Sequence, residues 1–399
     1  MKLLIFVTLF SAALGQQLLS LSSFKGGNVQ NPLLNDAPYG IFVSAHSDNT
    51  AALQNIFVVL KDGTQMPLNI LRNRKALQTS GQLIPFVVTD SAYLTTTLTT
   101  NQLAALNGVI YLSTTAQLNN KNFFVNDIAA AQTINLQTTA DDTTTLFLNT
   151  HMGTNPYRST VFSDWKQAAS ASSFLYAGLP QDGAEPKWHQ IFSNPMRISK
   201  DDDYQFFSNV ERFSLATTAA FYLKTSKGGP SFRIEPGYFN IDGTTTTSTS
   251  TTGLFMKPMD AADPSITVHI KRDTKYTGSC GASTIGHLPG GKVSVSVNDG
   301  SYTYDDYSVV NDFGMPWSVP RIAENFKIYS TNGKSGAFYT QYFVQQGGVN
   351  TGTTSKPGGQ TSNPGGPTVP GHVETTTKSS GTIQVFVALM AFIGFSAFL

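Results

Sequence analysis

The chain has 399 residues, a formal net charge of +1 and only 13% charged residues. It therefore lacks the basic excess that a nucleic-acid-binding face needs, and it has no Lys/Arg-rich run for electrostatic attraction to a membrane surface. Extracellular domains often rely on disulfides, but a single cysteine, Cys280, allows no intrachain bridge, so burial must hold the domains together.

Residues 1–15, "MKLLIFVTLFSAALG", carry one lysine, an apolar core and a small-x-small close at Ala13 and Gly15. This is the signal-peptide pattern, with cleavage expected after Gly15. Beyond it, long helical periodicity is nearly absent, and short apolar or alternating runs broken by Gly, Asn, Asp and Pro predict an all-β chain. "YGIFVSAH" from Tyr39, "NIFVVLKDGTQMPLNIL" from Asn55 and "LIPFVVTD" from Leu83 read as strands, with a hairpin turn at Asp62-Gly63. Short helices are expected around "TTNQLAAL" and around "FSDWKQAAS", the second capped by Ser163.

Three aromatic strands resemble one another: "GVIYLST" from Gly108, "AAFYLKT" from Ala219 and "GAFYTQY" from Gly336. Each follows an alternating strand and a turn, and they are spaced by about the length of one β-sandwich. Read as closing strands of a repeated unit, they divide the chain into β-sandwich modules of CUB-like or jelly-roll-like type at 20–140, 141–230 and 231–346, with two modules as the alternative. Each closing strand should bury alternate residues, such as Phe221 and Leu223, and damage to one module should stay local because modules on short linkers share little core.

Residues 347–379 form a Gly/Pro/Thr-rich stalk, and 380–399 contain the apolar run "IQVFVALMAFIGFSAFL" from Ile383. Small residues followed by an apolar tail predict a glycosylphosphatidylinositol (GPI) anchor. Ser379 is the expected attachment residue, Gly371 the alternative, and a tail-anchored single span the competing reading. No Asn is followed two positions later by Ser or Thr, so N-glycosylation is excluded. O-linked glycans are expected on "TTTTSTSTT" (Thr244 to Thr252) and on the stalk.

The sequence contains no His-Glu-x-x-His, Gly-x-Ser-x-Gly, phosphate-loop or Cys-x-x-Cys motif. No enzyme activity, cofactor or metal is therefore expected, and the scattered histidines, among them His46, His151 and His189, offer no zinc spacing. Two acidic stretches, Asp201 to Asp203 and the loop with Asp299, Asp305 and Asp306, are the candidates for calcium, though charge in a turn is usually only solvated. Trp165, Trp188 and Trp317 lie in or near loop segments, where they could contact a ligand or plug a domain edge. Cys280 reads as a plain structural thiol.

The stretch "PFVVTDSAYLTTTL" followed by "GVIYLST" resembles the nematode CUB-like domain proteins, although the cysteines common near that domain's start are missing here. The resemblance implies a secreted or membrane-attached sandwich protein of intestinal surfaces with a part in the response to microbes. The expectation is a GPI-anchored, non-catalytic recognition protein on the outer face of the plasma membrane, with an extracellular protein or glycan as ligand and no nucleic acid as partner. The alternatives are a polysaccharide hydrolase using an acid pair such as Asp164 and Glu185, or a cell-surface adhesin.

Overall fold

The computed structural model describes residues 15–345 apart from 77–80, 138–141, 151–158, 182–189, 200–202, 217–218, 238–244, 247–249, 259–264, 271–278, 299–302, 310–316, 320–323 and 332–335. All of them belong to one compact unit, Met1–Pro357. As the short alternating runs require, the architecture is all-β.

The first sandwich is made of β1 (Gln17–Ser20), β2 (Asn31–Leu33), β3 (Tyr39–Ala45), β4 (Ile56–Leu60), β5 (Gln65–Pro67), β6 (Phe86–Val88), β7 (Ala92–Thr96) and β8 (Gly108–Leu112). Its two antiparallel sheets have the orders β1-β8-β3-β6 and β2-β7-β4-β5, the two nested Greek keys of a jelly roll. Four short helices decorate it: α1 (Thr50–Leu53), α2 (Leu68–Arg72), α3 (Thr100–Ala104) and α4 (Thr115–Asn119). The first expected helix is α3, started by a reciprocal capping box between Thr99 and Gln102. At the Asp62-Gly63 turn, Gly63 takes φ +86°, and its N–H donates to the Leu60 carbonyl at 3.0 Å.

β9 (Phe123–Asp127) leads into the second sandwich: β10 (Gln132–Asn135), β11 (Thr143–Leu148), β12 (Ser159–Lys166), β13 (Ser172–Ala177) and β14 (Gln190–Asn194). After the short β15 (Met196–Arg197), β16 (Tyr204–Gln205) and β17 (Asn209–Val210), it is completed by β18 (Phe213–Ala216), β19 (Ala220–Ser226) and β20 (Ser231–Pro236). β21 (Thr245–Thr246) precedes the third: β22 (Thr251–Lys257), β23 (Ser265–Ile270), β24 (Ser279–His287), β25 (Lys292–Asn298), β26 (Thr303–Val309), β27 (Trp317–Val319), β28 (Asn325–Thr331) and β29 (Ala337–Gln345). The sheet orders are β10-β20-β12-β18 with β11-β19-β13-β14 in the second sandwich, and β22-β29-β24-β27 with β23-β28-β25-β26 in the third. Numbered from the first strand of each sandwich, all three obey one rule, 1-8-3-6 over 2-7-4-5. Linker strands then add in parallel at sheet edges: β9 on β11 and β21 on β23, each a second strand, and β17 on β22.

The repeat exists, with its boundaries moved. By sheet membership the sandwiches comprise 17–112, 132–236 and 251–345. The expected cuts at 140/141 and 230/231 would separate β10 and β20 from the strands they bond. "GVIYLST" and "GAFYTQY" are eighth strands, β8 and β29, whereas "AAFYLKT" is the seventh strand β19, and the closing strand of the middle unit is "SFRIEP", β20.

The second expected helix is also overturned, because "FSDWK" belongs to β12. The register with β20 shifts between Ser163 and Lys166, and Asp164 takes φ +55°. This bulge turns Trp165 inward, where it stacks on Phe232 at 5.0 Å and meets Phe192 edge-on at 5.5 Å. That buried aromatic contact decides the conformation, and Ser163 caps nothing.

The modules are not energetically separate. Ile110 and Leu112 of β8 point into the first core, while Val109 and Tyr111 point outward into a second apolar layer with Leu146, Leu148 and Tyr222 of the second sandwich. The outer faces of the two sheets that hold β8 and β19 thus form a seam, an apolar layer shared by modules that the sequence reading took to share little core. Between the second and third sandwiches the core is continuous, with Leu215 and Ala216 of β18 in one cluster with Leu254 and Met256 of β22.

Candidate functional site

Several expected site residues lie outside the described residues: Ser379, Gly371, His151, His189, Glu185, Trp188, Asp201, Asp202 and Asp299. The turn expected at Asn332-Gly333 lies there too. Gly15 is the first described residue and is exposed. Its neighbour Gln16 is tied into the first seam: its Oε1 accepts from the Tyr111 hydroxyl and from Gln117 Nε2, both at 2.8 Å, and its Nε2 donates to the Pro180 carbonyl.

The acidic candidates do not converge. Asp203 accepts a hydrogen bond from Ser199 Oγ at 2.7 Å. Asp305 and Asp306 lie in strand β26 instead of the expected loop, and Asp305 pairs with Ser296 beside a register shift. Among the described residues no three His, Cys, Asp or Glu side chains gather as a metal site. Cys280 is fully buried in β24. His46 caps a 3-10 turn, its Nδ1 accepting from the Asp48 N–H at 3.4 Å. Trp165 is a core residue, 6% exposed, and is unavailable for stacking on a ligand.

The O-glycan expectation is corrected at one end. Thr251 and Thr252 are fully buried on β22: the Thr252 hydroxyl donates to the Tyr342 carbonyl at 2.8 Å, and the Thr251 hydroxyl to Glu211 Oε1 at 3.2 Å. A glycosyltransferase needs the hydroxyl free, so these two threonines carry no sugar.

The polar groups that matter to the architecture sit in the seams, and the sequence reading singled out none of them. In the first seam, Asp127 of β9 is buried and receives the Ser44 hydroxyl at 2.7 Å and Lys75 Nζ at 3.1 Å. In the second, the Gln341 amide grips the edge strand β14. Its Oε1 accepts from the Ser193 N–H at 2.9 Å and its Nε2 donates to the Ser193 carbonyl at 2.7 Å. Beside it, burial raises the pKa of Glu211 above the usual carboxylate value, partly offset by its hydrogen bond from Thr251. Burial, with Glu211 nearby, also pushes the Tyr342 phenol upward. In the third sandwich, buried Lys257 donates to the Gly336 carbonyl at 2.8 Å and to that of Pro258 at 3.2 Å.

The surface is uneven. The exposed large apolar residues among the described ones are Val29, Leu34, Ile70, Ile84 and Val87, all in the first sandwich. Ile70 lies on α2 just after β5, and Ile84 and Val87 lie at β6, so these three gather where the fifth and sixth strands end the sheets. Arg74 lies against the same edge, its guanidinium 6.0 Å from the Phe86 ring centre and its Nη2 3.3 Å from the Pro85 carbonyl. Nothing in this arrangement supplies a nucleophile or an acid–base pair; its means are apolar contact, backbone hydrogen bonding and positive charge. Sequence periodicity could not single it out, because it does not tell which strand ends up at an edge.

Against known protein families, residues 36–393 match the family described as "Transmembrane glycoprotein". The chain belongs to that family. The match takes in the three sandwiches from β3 onward, the stalk and most of the apolar terminal run, and family membership makes the chain a membrane-associated surface glycoprotein. No curated protein matches. Among solved structures, the insecticidal delta-endotoxin Cry8Ea1 of Bacillus thuringiensis is similar at 9% identity and a TM-score of 0.19, over 49% of this chain and 44% of that one. The chain therefore spans less than half the length of that toxin. Among the described residues no helix is long and apolar enough to cross a membrane.

Proposed function

We propose that this family member is a GPI-anchored recognition protein of the cell surface, without catalytic activity, whose tandem jelly rolls bind an extracellular protein or glycan. The carrying observation is the reach of the family match, which runs through the sandwiches and the stalk into the apolar terminal run. The signal pattern before Gln16 and the small residues around Ser379 give the chain the two processing marks of an anchored ectodomain. A role in defence at an epithelial surface rests on the resemblance of "PFVVTDSAYLTTTL" and "GVIYLST" to nematode CUB-like proteins. As a glycoprotein family member without Asn-x-Ser/Thr sites, the chain carries its sugars on the stalk threonines.

Treating intact cells with a phosphatidylinositol-specific phospholipase tests the anchor. Release of the protein into the medium is the expected result. Retention after treatment, with an epitope following Leu399 accessible only in permeabilised cells, would overturn the anchor in favour of a spanning tail.

A further inference from the structure

The three jelly rolls allow equivalent surfaces to be compared within one chain. In the second sandwich the fifth and sixth strands, β14 and β18, are sheet edges, and both are covered by the third sandwich. The Gln341 amide occupies the backbone N–H and C=O of Ser193 on β14. β18 is buried throughout and shares a core with Leu254 and Met256. This fold thus docks a neighbour on its fifth- and sixth-strand edge. The equivalent edge of the first sandwich is open at Val87: Val87 is 43%, Ile84 43% and Ile70 47% exposed. The backbone groups just before it are taken within the chain, the Ile84 N–H donating to the Arg74 carbonyl at 2.8 Å and the Pro85 carbonyl accepting from Arg74.

The register shows what that edge offers. The Gly40 carbonyl accepts from the Ser113 N–H at 2.9 Å, and the Gly40 N–H donates to Ser113 Oγ at 3.0 Å, so Gly40 faces the β8 side of β3. By strand alternation its neighbours Tyr39 and Ile41 face β6 and bond their partners Val88 and Phe86. Val87, opposite Gly40, consequently turns its N–H and C=O away from the sheet. Unpaired edge groups flanked by exposed apolar side chains form a template for another strand. The charge at the edge is positive: Arg74 donates to the Pro85 carbonyl and lies over the Phe86 ring, and it has no carboxylate partner among the described residues. Arg72, at the end of α2, donates to Thr50 Oγ1 and likewise has none among them. Two copies meeting here would bring these cations together, whereas an acidic strand would be attracted.

We propose that the edge strand β6 of the first sandwich is a strand-addition site for an extended, acidic segment of a partner protein, with Val87 supplying the backbone pairing, Ile84 and Ile70 the apolar contact, and Arg74 the charge selection. This rests on the recognition reading above and narrows its ligand from protein or glycan to an acidic peptide. It is independent of how the chain is anchored.

The test uses full-length protein in detergent micelles and a fluorescein-labelled peptide of alternating Glu and Val, with a Lys-for-Glu peptide as control, read by fluorescence anisotropy. The acidic peptide should bind and the basic one should not, with affinity falling as salt is raised. Val87→Pro removes the outward N–H while sparing the bonds to β3, so it should leave the melting temperature intact and weaken binding about tenfold or more. Arg74→Glu should abolish the preference for the acidic peptide, which keeps the test valid if the proline variant folds poorly. Failure of the acidic peptide to bind, or binding equal for both peptides or untouched by Val87→Pro in a folded protein, would overturn the proposal. So would light scattering that shows wild-type dimers which Val87→Pro converts to monomers, because the occupant would then be a second copy. An anchor that resists phospholipase while the acidic peptide still binds leaves this site standing and removes only the lipid attachment.

Discussion

Phe221 and Tyr222 are neighbours on β19, and their side chains point to opposite faces of one sheet. Phe221 stacks on Phe147 at 5.2 Å and leans on Phe162 at 5.8 Å inside the second sandwich. Tyr222 stacks on Tyr176 at 4.9 Å in the seam against the first sandwich. Each is at most 1% exposed. A buried aromatic of this size hides about 150–250 Å², which at about 25 cal/mol per Å² gives roughly 4–6 kcal/mol as an upper figure. Truncation to Ala should cost about 3–5 kcal/mol, or about two to three and a half orders of magnitude in protection against hydrogen exchange at about 1.4 kcal/mol per tenfold. Exchange monitored by mass spectrometry can assign that loss to each sandwich. Phe221→Ala should deprotect β11, β12 and β20, and should reach β22 through the continuous core. Tyr222→Ala should deprotect β19 and, across the seam, β3 and β8. If Tyr222→Ala lowers protection in β19 by this amount while β3 and β8 keep theirs, the seam transmits nothing and the sandwiches are independent after all.

The Lys75–Asp127 pair should be asymmetric, because the aspartate side chain is fully buried and the lysine 36% exposed. Lys75→Met strands a buried carboxylate and should cost about 3–5 kcal/mol, more than Asp127→Asn, whose orphaned lysine can reach water; urea midpoints of the two variants give the order, and the reverse order would show that the carboxylate is not the costly group. The raised pKa of Glu211 carries a definite sign: the folded state holds the proton more tightly than the unfolded chain, so its contribution is complete below the ordinary carboxylate value and fades as pH rises through the raised one. Melting wild type and Glu211→Gln from about pH 4 to about pH 7 should show a downward slope that the glutamine variant lacks, and equal slopes would place the titration elsewhere.

Fold class, the Asp62-Gly63 hairpin and helix α3 were legible because each depends on local chemistry: alternation, a positive-φ glycine and a capping box. The boundaries were not, and β19 shows why. "GVIYLST" and "AAFYLKT" look alike because both strands are buried on both faces, and they lie in the two sheets that form the first seam. They share an environment, not a place in the jelly roll. The true counterpart of β8, "SFRIEP", buries Phe232 and Ile234 but leaves Arg233 exposed, so its alternation hides the equivalence. Trp165 misled for a related reason. A helix-like spacing in "FSDWKQAAS" lost to a bulge at Asp164 that lets one indole stack on Phe232, and such a long-range contact leaves no local trace. The open edge at β6 was invisible because apolar Ile84 and Val87 read as core until the sheet order is known.

The seams also explain how an extracellular chain manages with one thiol. Domains of about a hundred residues that cannot be stapled gain stability by burying more surface, and here each sandwich lends an outer sheet face or a pair of edges to its neighbour. The second sandwich gives up both resources: the outer face with Tyr222 goes to the first seam, and the β14 and β18 edges go to the third sandwich. The third spends the outer face of the sheet containing β29, where Phe343 meets Met196 and Phe207. The first spends its outer face on the Tyr111 side and keeps its fifth- and sixth-strand edge. The fifth- and sixth-strand edge that the third sandwich covers on the second is left exposed at Val87 on the first. That first sandwich, separated along the chain from the Gly/Pro/Thr-rich segment by two others, is where the exposed isoleucines, Val87 and the arginines without a carboxylate partner among the described residues are found.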